Sequence, residues 1–330
     1  MGKVGLTLAG GNYEWIRPLR EGTVEVEGAD CNYLCLPVEE IFWRMLRHGE
    51  FDAAEMSLSS YIINRSRGDS GLVALPVFPH RMFRHAYIFV RNDAGIEVPG
   101  DLAGKRVGVP EYEMTAAVWI RGILQDDYGL APGDCLWFTG GLEEAGREEK
   151  LDLHLPEDVR VVGIGPRKTL SAMLGEGELD ALVTARAPSC FAPGAGPVRR
   201  LFADYRAVEA AYYRRTGILP IMHTVVLKRS LYERHPWLAG SLYKAFDQAR
   251  AAAFRYLFHT GGLNCPLPWM AGLVEDVRSI LGPDPFAYGV EANRRALETL
   301  VRYSCEQGLA ERRMDVEELF CPESRDRFKI

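Results

Sequence analysis

Apolar and polar positions follow two different periods along this chain, and together they predict an α/β protein. Residues 3–9 and 105–109 are short apolar segments bounded by polar residues, a pattern typical of buried strands. Elsewhere apolar side chains recur at helical spacing, as in the stripe formed by Ile41, Phe42, Met45 and Leu46. The same spacing predicts helices over residues 114–124, 236–257 and 291–306.

An internal echo gives the clearest sign of organisation. Residues 47–57 and 174–185 both contain the end of a helix, a glycine, a large apolar residue, the pair Asp-Ala and then a short apolar strand. We expect Gly49 and Gly177 to end the two helices, because glycine accepts the left-handed backbone that often follows a helix. The large apolar residue should pack beneath a sheet.

Two such β-α-β units, more than 100 residues apart, predict two α/β lobes with mostly parallel strands. Residues 86–91 and 222–227 are apolar and rich in β-forming residues, and we interpret them as crossover strands between the lobes. The predicted lobe one therefore combines residues 1–90 and 225–330, and lobe two comprises residues 91–224. This organisation predicts a central cleft between the lobes.

Composition excludes several classes of protein. The chain has 330 residues, 47% of them hydrophobic and 25% charged, with a formal net charge of −6. This is too apolar for a disordered chain and offers no basic surface for nucleic acid. No apolar run approaches the roughly 18 residues of a membrane span, and the N-terminus lacks the apolar core of a signal peptide. We expect a cytoplasmic protein without nucleic-acid or membrane partners; whether it forms a homo-oligomer stays open.

Ligands of open α/β sheets bind beyond the carboxyl ends of the strands, and this rule selects candidate residues. In lobe one they follow the first strand and the echoed strand, and in lobe two they follow the corresponding strands. The candidates with polar side chains are Asn12, Ser57, Ser59, Glu111, Thr115 and Arg186. Glu111 could lie beside a ligand, or it could complement the dipole of the helix that follows.

Two arginines and two histidines lie within residues 80–85, directly before the first predicted crossover. Arg81 and Arg84 could each bind a carboxylate through two parallel hydrogen bonds, although a solvated loop would give the same pattern. His85 and His223 adjoin the crossovers and could donate a proton near neutral pH; each could equally be a hydrogen-bonded core histidine. The chain has no phosphate-binding loop and no compact metal-ligand motif, so we expect neither cofactor nor metal.

Four segments carry a specific family resemblance: residues 37–47, 51–61, 76–85 and 108–119. Together they resemble the 4,5-dihydroxyphthalate decarboxylases, and the resemblance extends from the first strand to residues 222–224. It implies the type II periplasmic-binding-protein-like fold, with two lobes around a cleft. It also implies a lyase of phthalate degradation, which converts 4,5-dihydroxyphthalate, a small aromatic dicarboxylate, to protocatechuate and carbon dioxide.

The implied reaction needs cations for the two carboxylates, a base for the phenol and an acid for the ring carbon. We assign Arg81, Arg84 and Arg186 as carboxylate-binding residues. His85 or His223 would be the proton donor, and Glu55 or Glu111 would orient the phenol or a histidine. Asn12, Ser57, Ser59 and Thr115 would supply further substrate contacts. The alternatives are a non-catalytic receptor for aromatic acids and a related lyase of the same fold.

Overall fold

A computed structural model describes residues 2–68, 71–259, 261–262 and 265–322 of the chain. Its internal contacts divide the chain into two compact units. Unit 1 comprises Met1–Arg81, Ile221–Glu298 and Met314–Ile330, and unit 2 comprises Met82–Pro220 and Thr299–Arg313. Each unit contains a mixed β-sheet flanked by helices.

Unit 1 is built around a sheet with strand order β2-β1-β3-β11-β4. Strands β2 and β3 run parallel to β1, whereas β11 runs antiparallel to both β3 and β4. The strands are β1 (Val4–Gly10), β2 (Ala29–Cys35), β3 (Ala53–Ser57), β4 (Leu72–Leu75) and β11 (His223–Lys228). The helices are α1 (Arg17–Arg20), α2 (Val38–His48), α3 (Leu58–Ser66), α7 (Arg229–Arg234), α8 (Trp237–Leu257) and α9 (Met270–Leu281), with the start of α10 (Arg294–Glu306).

Unit 2 contains a sheet with strand order β10-β5-β9-β6-β7-β8. Strands β9, β6, β7 and β8 are mutually parallel, and β5 runs antiparallel to both β9 and β10. The strands are β5 (Ile88–Arg91), β6 (Arg106–Val109), β7 (Leu136–Thr139), β8 (Arg160–Gly163), β9 (Ala181–Val183) and β10 (Val198–Arg200). The helices are α4 (Thr115–Tyr128), α5 (Leu170–Glu176) and α6 (Tyr205–Thr216).

The two echoed segments adopt the same local structure, one in each unit. Gly49 and Gly177 end α2 and α5 in the left-handed conformation, as predicted. The aspartates of the two echoes, Asp52 and Asp180, each accept a backbone hydrogen bond of 2.9 Å from the opening strand, from Thr7 and Arg106 respectively. The preceding Phe51 and Leu179 are buried. Within about five residues, each echo thus contains the end of a helix, a buried apolar side chain and an aspartate that bonds the backbone of the opening strand.

The segments interpreted as crossover strands have related positions in their sheets. Strand β5 pairs with β9, and β11 pairs with β3, so each lies antiparallel to the echoed strand of its own unit. The chain passes from unit 1 to unit 2 between Arg81 and Met82 and returns between Pro220 and Ile221. These passages precede β5 and β11, rather than following residue 90 and residue 224 as predicted.

A second difference concerns the C-terminal region, which the sequence pattern places entirely in lobe one. Residues 299–313 belong to unit 2, because their side chains pack and bond with α4. The fully buried Arg121 donates to Gln307 Oε1 (2.9 Å), and Gln307 donates to the Val118 carbonyl (2.9 Å). Burying these polar groups requires mutual hydrogen bonds, and that requirement fixes the segment.

Among the described residues, no helix is both long and apolar enough to cross a bilayer.

The contact between α4 and Tyr303 predicts an effect on stability. A Cβ at Gly122 would lie 2.2 Å from the Tyr303 ring, which stacks edge-on against Trp119 and donates its hydroxyl to Asp126. Because the ring is held at both ends, Gly122→Ala should lower the free energy of unfolding by about 1–3 kcal/mol. Gly272→Ala on α9 is the matched control, since a Cβ added there would have no atom within 4 Å. Equal denaturation midpoints for the two variants would contradict this packing argument.

Candidate functional site

A buried glutamate on β3 organises the polar cluster of unit 1. Glu55 is 1% exposed, and its Oε2 accepts a hydrogen bond of 2.8 Å from the Gly11 backbone N–H. Its Oε1 accepts the Tyr13 hydroxyl at 2.8 Å and lies 2.5 Å from Nδ1 of His223. Three groups from two other segments thus converge on one carboxyl group, which compensates for its removal from water.

Strand register explains why Glu55 and His223 meet. In the antiparallel β3–β11 pair, His223 lies opposite Ser57 and Val225 lies opposite Glu55. Side chains alternate between the faces of a sheet, so Glu55 and His223 project from the same face as diagonal neighbours. The His223 ring also makes an edge contact with Phe42 and lies 4.9 Å from the ring of His80. Nδ1 of His223 is therefore the ring nitrogen that faces the carboxyl group.

Tyr13 is positioned by the glycine loop after β1. A side chain at Gly10 would meet the Tyr33 hydroxyl at 2.3 Å, and Tyr33 donates that hydroxyl to the Gly11 carbonyl. Tyr13 stacks on Trp15 at 5.1 Å and on His80 at 5.9 Å, both with an interplanar angle of 9°. Burial, and then the neighbouring Glu55, raise the pKa of Tyr13 far above its usual value, so its hydroxyl remains a neutral donor.

The same loop borders an open pocket of about 440 Å³ in unit 1. The lining is mostly apolar and includes Tyr13, Leu36, Pro37 and Val38. Asn12 contributes to the lining as well, and it accepts a hydrogen bond from Arg20. The pocket also meets the first residue of α2, whose N-terminal N–H groups have no side-chain cap. Glu39 and Glu40 lie in the first turn of α2 and complement its dipole, so the apolar wall is the feature of this pocket that suits an aromatic ring.

The serines after β3 form a hydroxyl cluster that caps α3. Ser57 Oγ accepts from the Ser60 N–H (3.4 Å) and the Ser60 hydroxyl (2.9 Å), and it lies 3.3 Å from Ser59 Oγ. Ser57 is therefore both the N-cap of α3 and the residue opposite His223. The local structure needs these hydroxyls whether or not a ligand contacts them.

Arg81 brings a buried cation to unit 1. Its guanidinium lies over the Phe78 ring, donates to the Ala287 carbonyl at 2.5 Å, and is only 8% exposed. The residue forms an isolated antiparallel bridge with Ile221. Arg81 is therefore held on the loop that also carries His80.

Arg84 and His85 belong to unit 2 and are buried there. Arg84 donates to the Ala185 carbonyl (3.1 Å), and burial lowers its pKa to about 10, which leaves it charged at neutral pH. The His85 ring packs edge-on against Phe202 and Tyr212, and neither ring nitrogen has a hydrogen-bond partner among the described residues. Burial lowers the pKa of His85 to about 4, so its imidazole is neutral near pH 7. Glu209 accepts from the Ala86 N–H, and burial raises its pKa to about 7.

Glu111 lies in a buried charge cluster at the end of β6. Arg147 Nε lies 2.6 Å from its Oε1, and Lys150 contacts both Glu111 and Glu113, the latter at 3.1 Å. With Glu149, the two glutamates place carboxylate oxygens within 4.8 Å of one another, a spacing that could hold a metal ion. The ammonium group of Lys150 already supplies positive charge between two of them. Glu149 Oε1 also accepts from the Tyr112 N–H, which fixes the turn before Thr115 and α4.

Comparison with known proteins identifies the family. The chain is 41% identical, over the full length of both proteins, to a 4,5-dihydroxyphthalate decarboxylase from Comamonas testosteroni. It is 49% identical over 214 residues to the enzyme of that name from Pseudomonas putida, covering 65% of this chain and 83% of that protein. The chain belongs to the 4,5-dihydroxyphthalate decarboxylase family. No family model matches the chain.

Solved structures establish the fold of this decarboxylase-family protein. The periplasmic aliphatic sulphonate binding protein of Escherichia coli superposes with a TM-score of 0.56 at 14% identity, covering 97% of this chain and 98% of that one. The alkanesulfonate-binding protein of Xanthomonas axonopodis pv. citri, solved with MOPS, gives a TM-score of 0.56 at 14% identity, covering 97% and 99%. These matches confirm the predicted type II periplasmic-binding-protein-like fold.

Within this family member, the predicted site residues fall into two groups. Unit 1 holds the following: Asn12, Glu55, Ser57, Ser59, Arg81 and His223. Unit 2 holds the others: Arg84, His85, Glu111, Thr115 and the exposed Arg186. Glu55 and His223 are in direct contact. His85 is enclosed by aromatic rings, and the proton-transfer role of either histidine stays a prediction.

Sequence reasoning does not select several residues that the fold brings to these clusters. Tyr13 and His80 lie in segments that the sequence marks as candidates. Tyr13 could have been selected by its position after the carboxyl end of β1, where ligands of such sheets bind. Lys150 and Arg147 lie in an irregular loop that no periodicity marks, and Glu209 lies on a helix far along the chain. Their roles depend on tertiary contacts.

His85 provides a test that depends on pH. The folded protein holds this ring neutral down to about pH 4, whereas an unfolded histidine takes up a proton near pH 6.5. Stability is therefore lost as the pH falls from about 6.5 to 4, by at most about 3 kcal/mol. His85→Leu should remove this loss, so its stability relative to wild type should rise across that interval in urea titrations. The exposed His154→Gln is the control; a pH-independent difference for His85→Leu would refute the buried neutral imidazole.

Proposed function

We propose that this protein decarboxylates 4,5-dihydroxyphthalate to protocatechuate without an organic cofactor, with the chemistry centred on unit 1. The name of the relatives in Comamonas testosteroni and Pseudomonas putida supports the substrate. The observation that carries the mechanism is the contact between Glu55 and His223. Gly11 and Tyr13, which both donate hydrogen bonds to Glu55, also line the largely apolar pocket.

The substrate itself makes the reaction feasible. Each carboxylate is para to a ring hydroxyl, so removing the proton from that hydroxyl directs electron density to the carbon that bears the carboxylate. Protonation of this carbon gives a dienone. The bond to the carboxylate then breaks, its electron pair restores the aromatic ring, and carbon dioxide leaves. The protein must therefore place one acid at the ring carbon and stabilise the charge that develops.

We assign the acid to His223. Its Nδ1 faces Glu55, and the carboxylate neutralises the positive charge when the imidazole is protonated. The other ring nitrogen then carries the proton that is delivered to the ring carbon. Tyr13 and the Gly11 N–H keep Glu55 in place from the opposite side, so the imidazole is oriented before substrate binds.

Arg81 is the best-supported residue for a substrate carboxylate in unit 1, because it is a buried cation on the loop that carries His80. Arg84, Arg186 and Thr115 in unit 2 stay as proposed substrate contacts, and Glu111 is proposed to act through its charge cluster. Arg84 remains cationic although it is buried, as a carboxylate-binding residue must.

The proposed activity has a direct assay. Purified protein, treated with a chelator, should convert 4,5-dihydroxyphthalate to protocatechuate, which chromatography separates from the substrate. Saturable binding measured by calorimetry without any product would instead favour an aromatic-acid receptor. Absence of both turnover and binding would contradict the assigned ligand.

The assigned acid predicts matched losses in two variants. His223→Gln should lower kcat by about 10²–10⁴-fold, because a positioned proton donor contributes that much. Glu55→Gln should lower kcat in the same range, since the imidazolium loses its counter-charge and the amide NH2 group cannot replace a carboxylate oxygen as an acceptor. His48→Gln, an exposed histidine on α2, is the control and should keep wild-type kcat. Normal turnover by His223→Gln would eliminate the acid role.

A further inference from the structure

His80 is the titratable side chain that the proposed mechanism leaves unused although it adjoins the assigned acid. Its ring centroid is 4.9 Å from that of His223, with a 46° angle between the ring planes. On its other side it stacks almost parallel to Tyr13. Imidazole is the side chain best suited to accept a phenolic proton near neutral pH, and the proposed reaction requires such a base.

The backbone fixes the spacing of the two rings. The carbonyl of His80 accepts hydrogen bonds from the N–H groups of Met222 (2.9 Å) and His223 (3.3 Å). The indole of Trp15 donates to the Pro79 carbonyl (2.9 Å), which holds the loop immediately before His80. The two imidazoles are therefore neighbours because their main chains are bonded to each other.

We propose that His80 is the general base for the phenol and forms an acid–base pair with His223. This inference rests on the proposed function, because it assigns a second proton transfer within that same reaction. Two imidazolium rings at this distance repel each other, so the pair holds one proton at a time. The carboxylate of Glu55 contacts His223, so in the proposed pair His223 is the donor and His80 the acceptor.

This pair, together with one proton taken up from water, accounts for every proton in the reaction. His80 accepts the phenolic proton as His223 gives its proton to the ring carbon, so the pair keeps a single positive charge. After the carbon–carbon bond breaks and carbon dioxide leaves, His80 returns its proton to the phenolate oxygen. His223 is then reprotonated from water, so each turnover consumes one proton and releases one carbon dioxide.

Tyr13, which stacks on His80, itself interacts electrostatically with Tyr33 on β2, Glu39 on α2 and Glu55 on β3. Tyr288 interacts in the same way with Arg81, and all of these groups are common to every variant below. Burial raises the pKa values of the three tyrosines above their usual range, so these hydroxyls stay neutral while histidines titrate.

The pH profile of kcat/KM tests the assignment. The wild type should show a bell-shaped profile, because the proposed reaction needs one group in its basic form and one in its acidic form. His80→Gln should lower kcat/KM by about 10²–10⁴-fold and abolish the acid limb while keeping the alkaline limb. His48→Gln should reproduce the wild-type profile. An acid limb that persists in His80→Gln overturns the inference.

A second measurement uses only the wild type and does not depend on the folding of a variant. In mixtures of light and heavy water, a concerted reaction transfers two exchangeable protons in one transition state. A plot of the rate against the deuterium fraction of the solvent should therefore lie below a straight line. A linear dependence means one proton and overturns the pair. Wild-type protein that forms no protocatechuate contradicts the proposed function itself. An active wild type with a linear dependence contradicts the role of His80 alone.

Discussion

The cluster in unit 1 depends on the burial of one carboxyl group. Glu55 is almost fully enclosed, and a carboxylate removed from water needs partners that replace its hydration. The loop after β1 supplies a backbone N–H and a tyrosine hydroxyl, and β11 supplies an imidazole. These partners leave the loop little freedom, because moving Tyr13 or His223 away would expose an unpaired buried acceptor. The requirement to satisfy one glutamate thus orders three chain segments.

Both units use the same scaffold but place different chemistry on it. In each, an aspartate after a left-handed glycine bonds the opening strand, and the next strand runs parallel to it. Unit 1 has a carboxyl–imidazole contact at the carboxyl end of this scaffold. In unit 2, the segment after β6 instead carries Glu111 with Arg147 and Lys150, a pairing of fixed charges. Acid–base catalysis needs a group that exchanges its proton during the reaction, and His223 in unit 1 is the group proposed for that role.

The sequence predicted the structure where that structure depends on the spacing of neighbouring residues. The helix ends at Gly49 and Gly177 could be predicted, because a helix end followed by a strand is specified within about ten neighbouring residues. The contact between Glu55 and His223 was one of several pairings that the sequence left open. It joins positions 168 residues apart and depends on the register of β3 against β11, and a shift of one residue would turn one side chain to the other face. The same reason explains why the sequence pattern places residues 299–313 in the wrong lobe: their attachment to α4 is made by Arg121 and Gln307, which no periodic pattern connects.

The fold by itself does not separate a catalyst from a solute receptor, since structural neighbours of this chain are sulphonate-binding proteins. The Glu55 carboxyl group does bear on the choice. A receptor for a dicarboxylate gains nothing from a buried carboxylate near its ligand, because like charges repel and the desolvation of each is costly. Guanidinium groups and helix N-termini would suffice for binding. A carboxylate becomes useful when it keeps a proton on an adjacent imidazole, so that the pair is neutral rather than negative while a transferable proton is held in place. The contact of Glu55 with His223 provides the geometry for such a pair, which is what the proposed delivery of a proton to a ring carbon needs.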